Sequence, residues 1–123
     1  MSAGTVPYIY QDSVGYLWFG TFGGVDRYDG YSFTSYKHDP EDPSSLVDAF
    51  VNTLCEDRAG NFWVGTANGL DRLDRATGKF THYMPDPPGL ETKRSNYIHF
   101  IHEDKDGVLW IGTRDGLDIF DRS

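Results

Sequence analysis

The chain has 123 residues, of which 11 are basic and 19 acidic, for a formal net charge of -8. That balance repels a phosphate backbone and argues against nucleic acid or an anionic membrane as the main partner, while also serving solubility. With Cys55 as the single cysteine, neither an intrachain disulfide nor a thiolate metal cluster can form, and no apolar run approaches the roughly 20 residues that span a bilayer.

Residues 1–4 read as a remnant ahead of the first structural unit, without a basic and then apolar export segment. A signal removed ahead of Thr5 would leave the same start, so residue chemistry leaves the compartment open. The pattern then predicts strands over Val6 to Tyr10, Tyr16 to Thr21, Val25 to Tyr28 and Ser32 to Tyr36. A long connection, Lys37 to Asp48, follows, and Ser45 to Phe50 has the composition of a short helical turn.

The next strands are expected at Val51 to Cys55 and Asn61 to Thr66, joined by the turn Asp57-Arg58-Ala59-Gly60. Cys55 sits in an apolar run and reads as a small buried hydrophobe. In Leu70 to Asp74 the apolar residues Leu70 and Leu73 stand three apart, which predicts a bulge or twist. Lys79 to Tyr83 alternates cleanly. After the connection Met84 to Asn96 come Ile98 to His102, Leu109 to Thr113 and Leu117 to Phe120, with no fourth strand before Ser123. Eleven strands are readable, and no segment has the length and period of an amphipathic helix.

One phrase recurs three times: Gln11 to Thr21, Glu56 to Thr66 and Glu103 to Thr113. Each copy runs acidic or amide residue, Asp, two variable residues, Gly, two residues, Trp, apolar residue, Gly, Thr. Gly24-Val25-Asp26, Gly69-Leu70-Asp71 and Gly116-Leu117-Asp118 follow in turn. Trp18, Trp63 and Trp110 are spaced by 45 and 47 residues, the length of one four-stranded sheet with its turns. The expected fold is therefore all-β, built of β-propeller blades: blade 1 over 5–48, blade 2 over 49–96 and a partial blade 3 over 97–123, whose outer strand is missing.

In such an array the tryptophans are blade core, supplying the apolar area on which neighbouring sheets stack. Gly20, Gly65 and Gly112 fall where a side chain would collide with the adjacent blade, and Gly15, Gly60 and Gly107 permit positive φ in turns. Asp12, Asp57 and Asp104 precede those turns by three residues and read as turn caps, not catalytic acids.

Glu103-Asp104-Lys105-Asp106-Gly107-Val108-Leu109-Trp110-Ile111-Gly112-Thr113-Arg114-Asp115-Gly116-Leu117 resembles the two-component regulator propeller repeat at every defining position. The first unit departs only in Gln11 and Val25, which keep size and place. The hairpin is also similar to the Asp-box turn of sialidases, a structural brace. What the resemblance implies is a periplasmic or otherwise extracytoplasmic sensor domain of bacterial two-component signal transduction. Such sensors usually carry around a dozen or more repeats, a β-sandwich domain, a membrane span and cytoplasmic modules. In the best-known members the ligand is a carbohydrate fragment, but the shared motif is scaffold and carries no sugar specificity.

In a four-stranded meander the turns after strands one and three emerge on one side, those after strands two and four on the other. The second side carries the Thr-x-x-Gly turns and both long connections, so ligand binding is expected there. The candidates are Phe22, Asn68, Arg114 and Asp115, joined by Arg94 and Asn96, with solvated hairpin tips as the plain alternative. His99, on the innermost strand by family analogy, is expected near the central channel.

No metal site is expected. His38 to Pro43 lacks an EF-hand pattern, and His99 and His102 point to opposite faces of a regular strand. No catalytic residues and no cofactor are expected either, since no nucleophile elbow, phosphate loop or paired-carboxylate spacing occurs. A propeller lyase or hydrolase would need a convergent acid, base and electrophile on the loop face.

Known rings use roughly four to eight blades, so three blades must belong to a larger propeller or associate as copies. A homo-oligomer, with three-plus-three blades in a dimer, is the simplest closed assembly. The leading expectation is a non-catalytic ligand-sensing segment; the alternative is a self-assembling structural piece without a ligand of its own.

Overall fold

The computed structural model describes residues 8–83, 97–114 and 116–120. The first sheet contains β1 (Tyr8–Gln11), β2 (Leu17–Thr21), β3 (Gly24–Tyr28) and β4 (Phe33–Tyr36). The second contains β5 (Val51–Glu56), β6 (Phe62–Thr66), β7 (Gly69–Asp74) and β8 (Lys79–Tyr83), and the third β9 (Ile98–Glu103), β10 (Leu109–Thr113) and β11 (Gly116–Phe120). Within each sheet the strands lie side by side in chain order, antiparallel throughout. These are the sheets expected from the repeat.

The sheets stack face to face, chiefly through their first strands: β5 packs on β1 and β2, and β9 on β5 and β6. Two apolar seams result. Trp18, Val25, Leu54, Phe62, Val64 and Leu73 belong to the first, and Trp63, Leu70, Ile98, Ile101, Leu109 and Ile111 to the second.

This arrangement corrects the bulge expected in Leu70 to Asp74. The β6–β7 and β7–β8 registers are unbroken; Leu73 faces the first seam and Leu70 the second. Odd spacing of apolar residues in a regular strand puts them on opposite faces, and here both faces are buried. The register shifts lie instead in the inner strands, between Val51 and Thr53 and opposite Gly112 and Thr113.

The helical turn expected over Ser45 to Phe50 is not formed. The segment runs as a series of bends with Leu46 fully buried in the first seam. Cys55 is half-buried, packed against the second seam.

The recurrent phrase is a set of hydrogen bonds. Asp12 Oδ1 accepts the N–H groups of Val14, Gly15 and Tyr16 at 2.9–3.0 Å, while Oδ2 accepts the Trp18 indole N–H at 2.8 Å. Asp57 accepts from Asn61 N–H and the Trp63 indole, both at 2.9 Å, and Asp104 from Asp106, Val108 and the Trp110 indole. The Trp110 and Val108 donors hold Asp104 below the ordinary carboxylate range. Thr66 Oγ1 donates to the Gly69 carbonyl at 2.9 Å, closing the next hairpin, as Thr21 and Thr113 do in theirs.

The acidic residue that opens the phrase ties one sheet to the one before it. Glu56 accepts the Ser13 N–H at 2.8 Å, and Glu103 accepts the Arg58 N–H at 2.9 Å. Between sheets the backbones come close: a Cβ on Gly65 would lie 2.6 Å from Ile98 Cγ2 and 2.5 Å from Thr53 Cγ2.

Candidate functional site

The connection between β4 and β5 is strapped to the second sheet. Phe80 N–H donates to the Ser44 carbonyl at 2.7 Å, and Val47 N–H to Asp71 Oδ2 at 2.7 Å. His82 bridges Asp71 Oδ1 (2.6 Å) through Nδ1 and the Pro43 carbonyl (2.7 Å) through Nε2. Asp71 itself is fully buried.

Burial pushes the Asp71 carboxyl above its ordinary value, opposed by the donors His82 and Val47. Burial works to lower the His82 pKa, but the hydrogen bond and charge of Asp71 outweigh it and hold the imidazole above the usual histidine value. The sequence showed Asp71 only as the last letter of Gly-Leu-Asp, with no sign of the histidine opposite it.

The strap delivers Phe50 to the head of β5, where its carbonyl accepts Ala67 N–H at 3.0 Å. There Phe50 stacks on Phe22 of the first sheet, with ring centroids 4.3 Å apart and 22° between planes. The Tyr97 ring lies 6.3 Å from that of Phe50, tilted by 49°. The Arg114 guanidinium sits over the Tyr97 ring at 4.1 Å, and the His99 ring is 5.0 Å from it. Phe22 is 44% exposed, Arg114 and His99 are exposed, and Phe50 and Tyr97 are half-buried. A strip of three aromatic side chains and a cation thus runs from the first blade to the third on the side of the Thr-x-x-Gly turns.

Phe22 and Arg114 are the two sequence candidates that the strip unites; they hold the same repeat position, four residues after the tryptophan. Asn68 stands exposed at the tip of the intervening hairpin, its N–H donated to Thr66 Oγ1 at 3.1 Å. Arg94, Asn96 and Asp115 lie outside the described residues. Phe50 and Tyr97 were missed by sequence reasoning. Their signal was positional, since both are aromatic and both stand 13 residues ahead of their tryptophan.

The opposite ends of the sheets are differently built. Arg75 donates to Glu56 at 2.7 Å and to the Gly60 carbonyl at 2.8 Å, beside an open cleft of about 400 Å³ lined by Gly60, Asn61, Arg72 and Asp74. There the charges knit turns together. Among the described residues no cluster of three or more His, Cys, Asp or Glu is placed to hold a metal ion, and no helix is long and apolar enough to cross a membrane.

Antiparallel meanders stacked through tryptophan-bearing faces, with inner strands in mutual contact, define a run of β-propeller blades. The chain belongs to the two component regulator propeller family, whose profile matches residues 1–23, 45–68 and 92–115, once in each blade. It is 41% identical over 46 residues to histidine kinase P4 of Formosa agariphila, a match covering 37% of this chain and 3% of that protein. Among solved structures it is similar to the extracellular domain of a hybrid two component system from B. thetaiotaomicron, with 28% identity and a TM-score of 0.79. That likeness covers 99% of this chain, which spans 19% of the larger one. Virginiamycin B lyase from Staphylococcus aureus, in a catalytically inactive form with quinupristin, shares the fold at 20% identity and a TM-score of 0.65, over 98% of this chain and 42% of the lyase.

Proposed function

We propose that the chain is a non-catalytic ligand-sensing segment of an extracytoplasmic two-component sensor, and that the strip Phe22–Phe50–Tyr97–Arg114 is its recognition surface. The observation that carries this reading is the strip itself. Three aromatic side chains, exposed or half-buried, lie in a row on the loop side of the sheets, with a guanidinium at one end. The ring edges and the faces the stack leaves uncovered offer apolar area to a ring-shaped ligand, and the guanidinium offers hydrogen bonds to its hydroxyl or carboxylate groups. A glycan fragment has both features.

The family and the extracellular domain of the B. thetaiotaomicron system support the sensor class and its compartment. Stacking surfaces and a permanent cation suit binding; bond cleavage asks for an acid and a base converging on one atom. The lyase likeness carries the fold alone.

The test is a glycan array probed with the wild-type chain and with Phe22→Ala and Arg114→Ala. Binding by the wild type, lost in both variants while the β-sheet circular dichroism persists, is the expected result. A ligand retained by both variants would move the site elsewhere.

A further inference from the structure

Asp71 belongs to the repeat, as the last residue of Gly-Leu-Asp, and His82 does not. Across from Asp26 in the first sheet stands Ser35, whereas across from Asp71 in the second stands His82. The second sheet thus carries a titrating ring where the first has a hydroxyl. Asp71 and His82 lie two residues from Leu73 and Phe80, on the face turned to the first seam. The connection between β4 and β5 is bonded to both of them.

The contacts of the His82 ring fix how many protons it needs. The Pro43 carbonyl, 2.7 Å from Nε2, has no hydrogen to give, so Nε2 must donate. Asp71 Oδ1, 2.6 Å from Nδ1, closes only with a second proton between the two atoms. A neutral imidazole beside an ionised Asp71 has one proton for two contacts and sets a lone pair against an oxygen at one of them. The Asp71 side chain is 0% exposed, so water cannot replace the donor there, and the contact that fails is the one to Pro43.

We propose that His82 and Asp71 form a proton-operated latch on the strip Phe22–Phe50–Tyr97–Arg114. While both imidazole nitrogens carry hydrogen the connection is held and Phe50 stacks on Phe22; loss of one proton loosens that stack. The regulatory meaning rests on the reading of the strip as the recognition surface, but the movement does not. On the extracytoplasmic side the segment would meet the pH of its surroundings, and recognition would be strongest in mildly acidic ones.

Between Pro43 and Phe50 the chain forms no strand of its own. It is fixed through Pro43 on His82, Ser44 on Phe80, and Val47 on Asp71 Oδ2, the second oxygen of the same carboxylate. A ring that leaves Pro43 frees the start of this segment and turns the carboxylate that holds Val47, three residues ahead of Phe50. Asp48 Oδ1, which accepts Phe50 N–H at 2.8 Å, passes the displacement on. The Phe50 carbonyl keeps its bond to Ala67 N–H, so the sheet survives and the change falls on the aromatic ring.

The charged and titratable groups around the latch come from three elements. Asp71, on β7, is the charge that acts on His82. From the connection, His38 acts on Asp71, and its Nδ1 lies 2.7 Å from the Leu46 carbonyl; Asp42 there is paired in charge with Lys79 of β8. From β4 comes Tyr36, whose ring is 6.0 Å from that of Phe80. His38 is therefore the group to separate from His82.

Nuclear magnetic resonance tests the latch without a ligand. As pH rises from about 5.5 to about 8.5, the His82 imidazole nitrogens should pass from two protonated to one. Cross peaks between the Phe22 and Phe50 rings should weaken with the same midpoint. They should stay constant in His82→Gln and still weaken in His38→Gln. Cross peaks that persist while wild-type His82 titrates overturn the latch, as does a loss that follows His38 instead; the wild-type titration decides even if a variant fails to fold. The glycan array, run at both ends of the range, tests the regulation. A bound glycan should lose signal several-fold at the upper pH with the wild type and hold it with His82→Gln. Equal binding at both values overturns the regulation. Absence of any bound glycan counts against the strip as a glycan surface, while the ring cross peaks still decide the latch.

Discussion

Asp57 and Trp63 are joined by a 2.9 Å hydrogen bond from the indole N–H to carboxylate Oδ2, while Oδ1 accepts the Asn61 N–H. The turn at one end of the hairpin and the core of the second seam are thereby the same piece of structure. Both partners are nearly inaccessible to water, with Asp57 at 4% and Trp63 at 2% exposure. An aspartate six residues ahead of a tryptophan is what the repeat preserves in all three copies.

Asp57→Ala should therefore cost more than a turn cap alone. A hydrogen bond to a charged group contributes about 1.5–3 kcal/mol, and a buried donor left unpaired costs about 1–3 kcal/mol. The expected loss is about 2–4 kcal/mol in urea unfolding. Because Trp63→Phe removes the same indole donor, the double variant should lose less than the sum of the two singles. Additive losses would show that the turn and the seam are energetically separate.

Gly65→Ala tests the closeness of the sheets. The added methyl meets Ile98 on the next sheet and Thr53 on its own, both well inside contact distance. Overpacking of this kind costs about 1–3 kcal/mol. Gly60→Ala is the control, since its space is open and its φ is +90°; backbone strain alone there should cost about 1–2 kcal/mol. Only Gly65→Ala should alter the near-ultraviolet circular dichroism of the seam aromatics.

The fold was legible because the repeat states it three times. Among the described residues strand edges came within a residue or two, since turns with Gly and Asp bracket each run; Val6 and Pro7 of the first expected strand lie outside them. What periodicity did not reveal is that the middle sheet is buried on both faces, which makes Leu70 and Leu73 look irregular when they are not. The geometry of the candidate strip was half legible for a related reason. Phe22 and Arg114 sit in short turns whose place follows from the hairpin, whereas Phe50 is positioned by a connection held through Asp71 and His82, residues 24 and 35 positions from Val47. Long-range contacts of this kind leave no local pattern.

The same strap should make stability depend on pH. The folded pKa of His82 lies above its ordinary value of 6.5, so its stabilising contribution is complete below that value and is lost as pH rises through the folded pKa. The wild-type melting temperature is expected to fall between about pH 6 and about pH 8, and the fall should be smaller in His82→Gln, which keeps a polar side chain without titrating. The other histidines are common to both proteins and cancel in the difference. Hydrogen exchange localises the effect: the Val47 amide, which donates to Asp71, should lose protection over the same interval. An identical pH slope in the two proteins would remove His82 as its source.

The strip proposed as the recognition surface must exist before a ligand arrives if it is to bind without a large ordering cost. Phe22 and Phe50 belong to different sheets, so their stack reports directly on whether that end of the seam is set. A double-mutant cycle with Phe22→Ala and Phe50→Ala should give a coupling of about 0.5–1.5 kcal/mol, the range for aromatic pairs beyond their buried area. Phe22→Ala alone should cost little more than the coupling, because the ring is 44% exposed; Phe50→Ala should cost more, since the half-buried ring also approaches Tyr97. A coupling near zero would mean that the two rings move independently. The strip would then have to be assembled by its ligand, and affinity would fall by the free energy of that ordering.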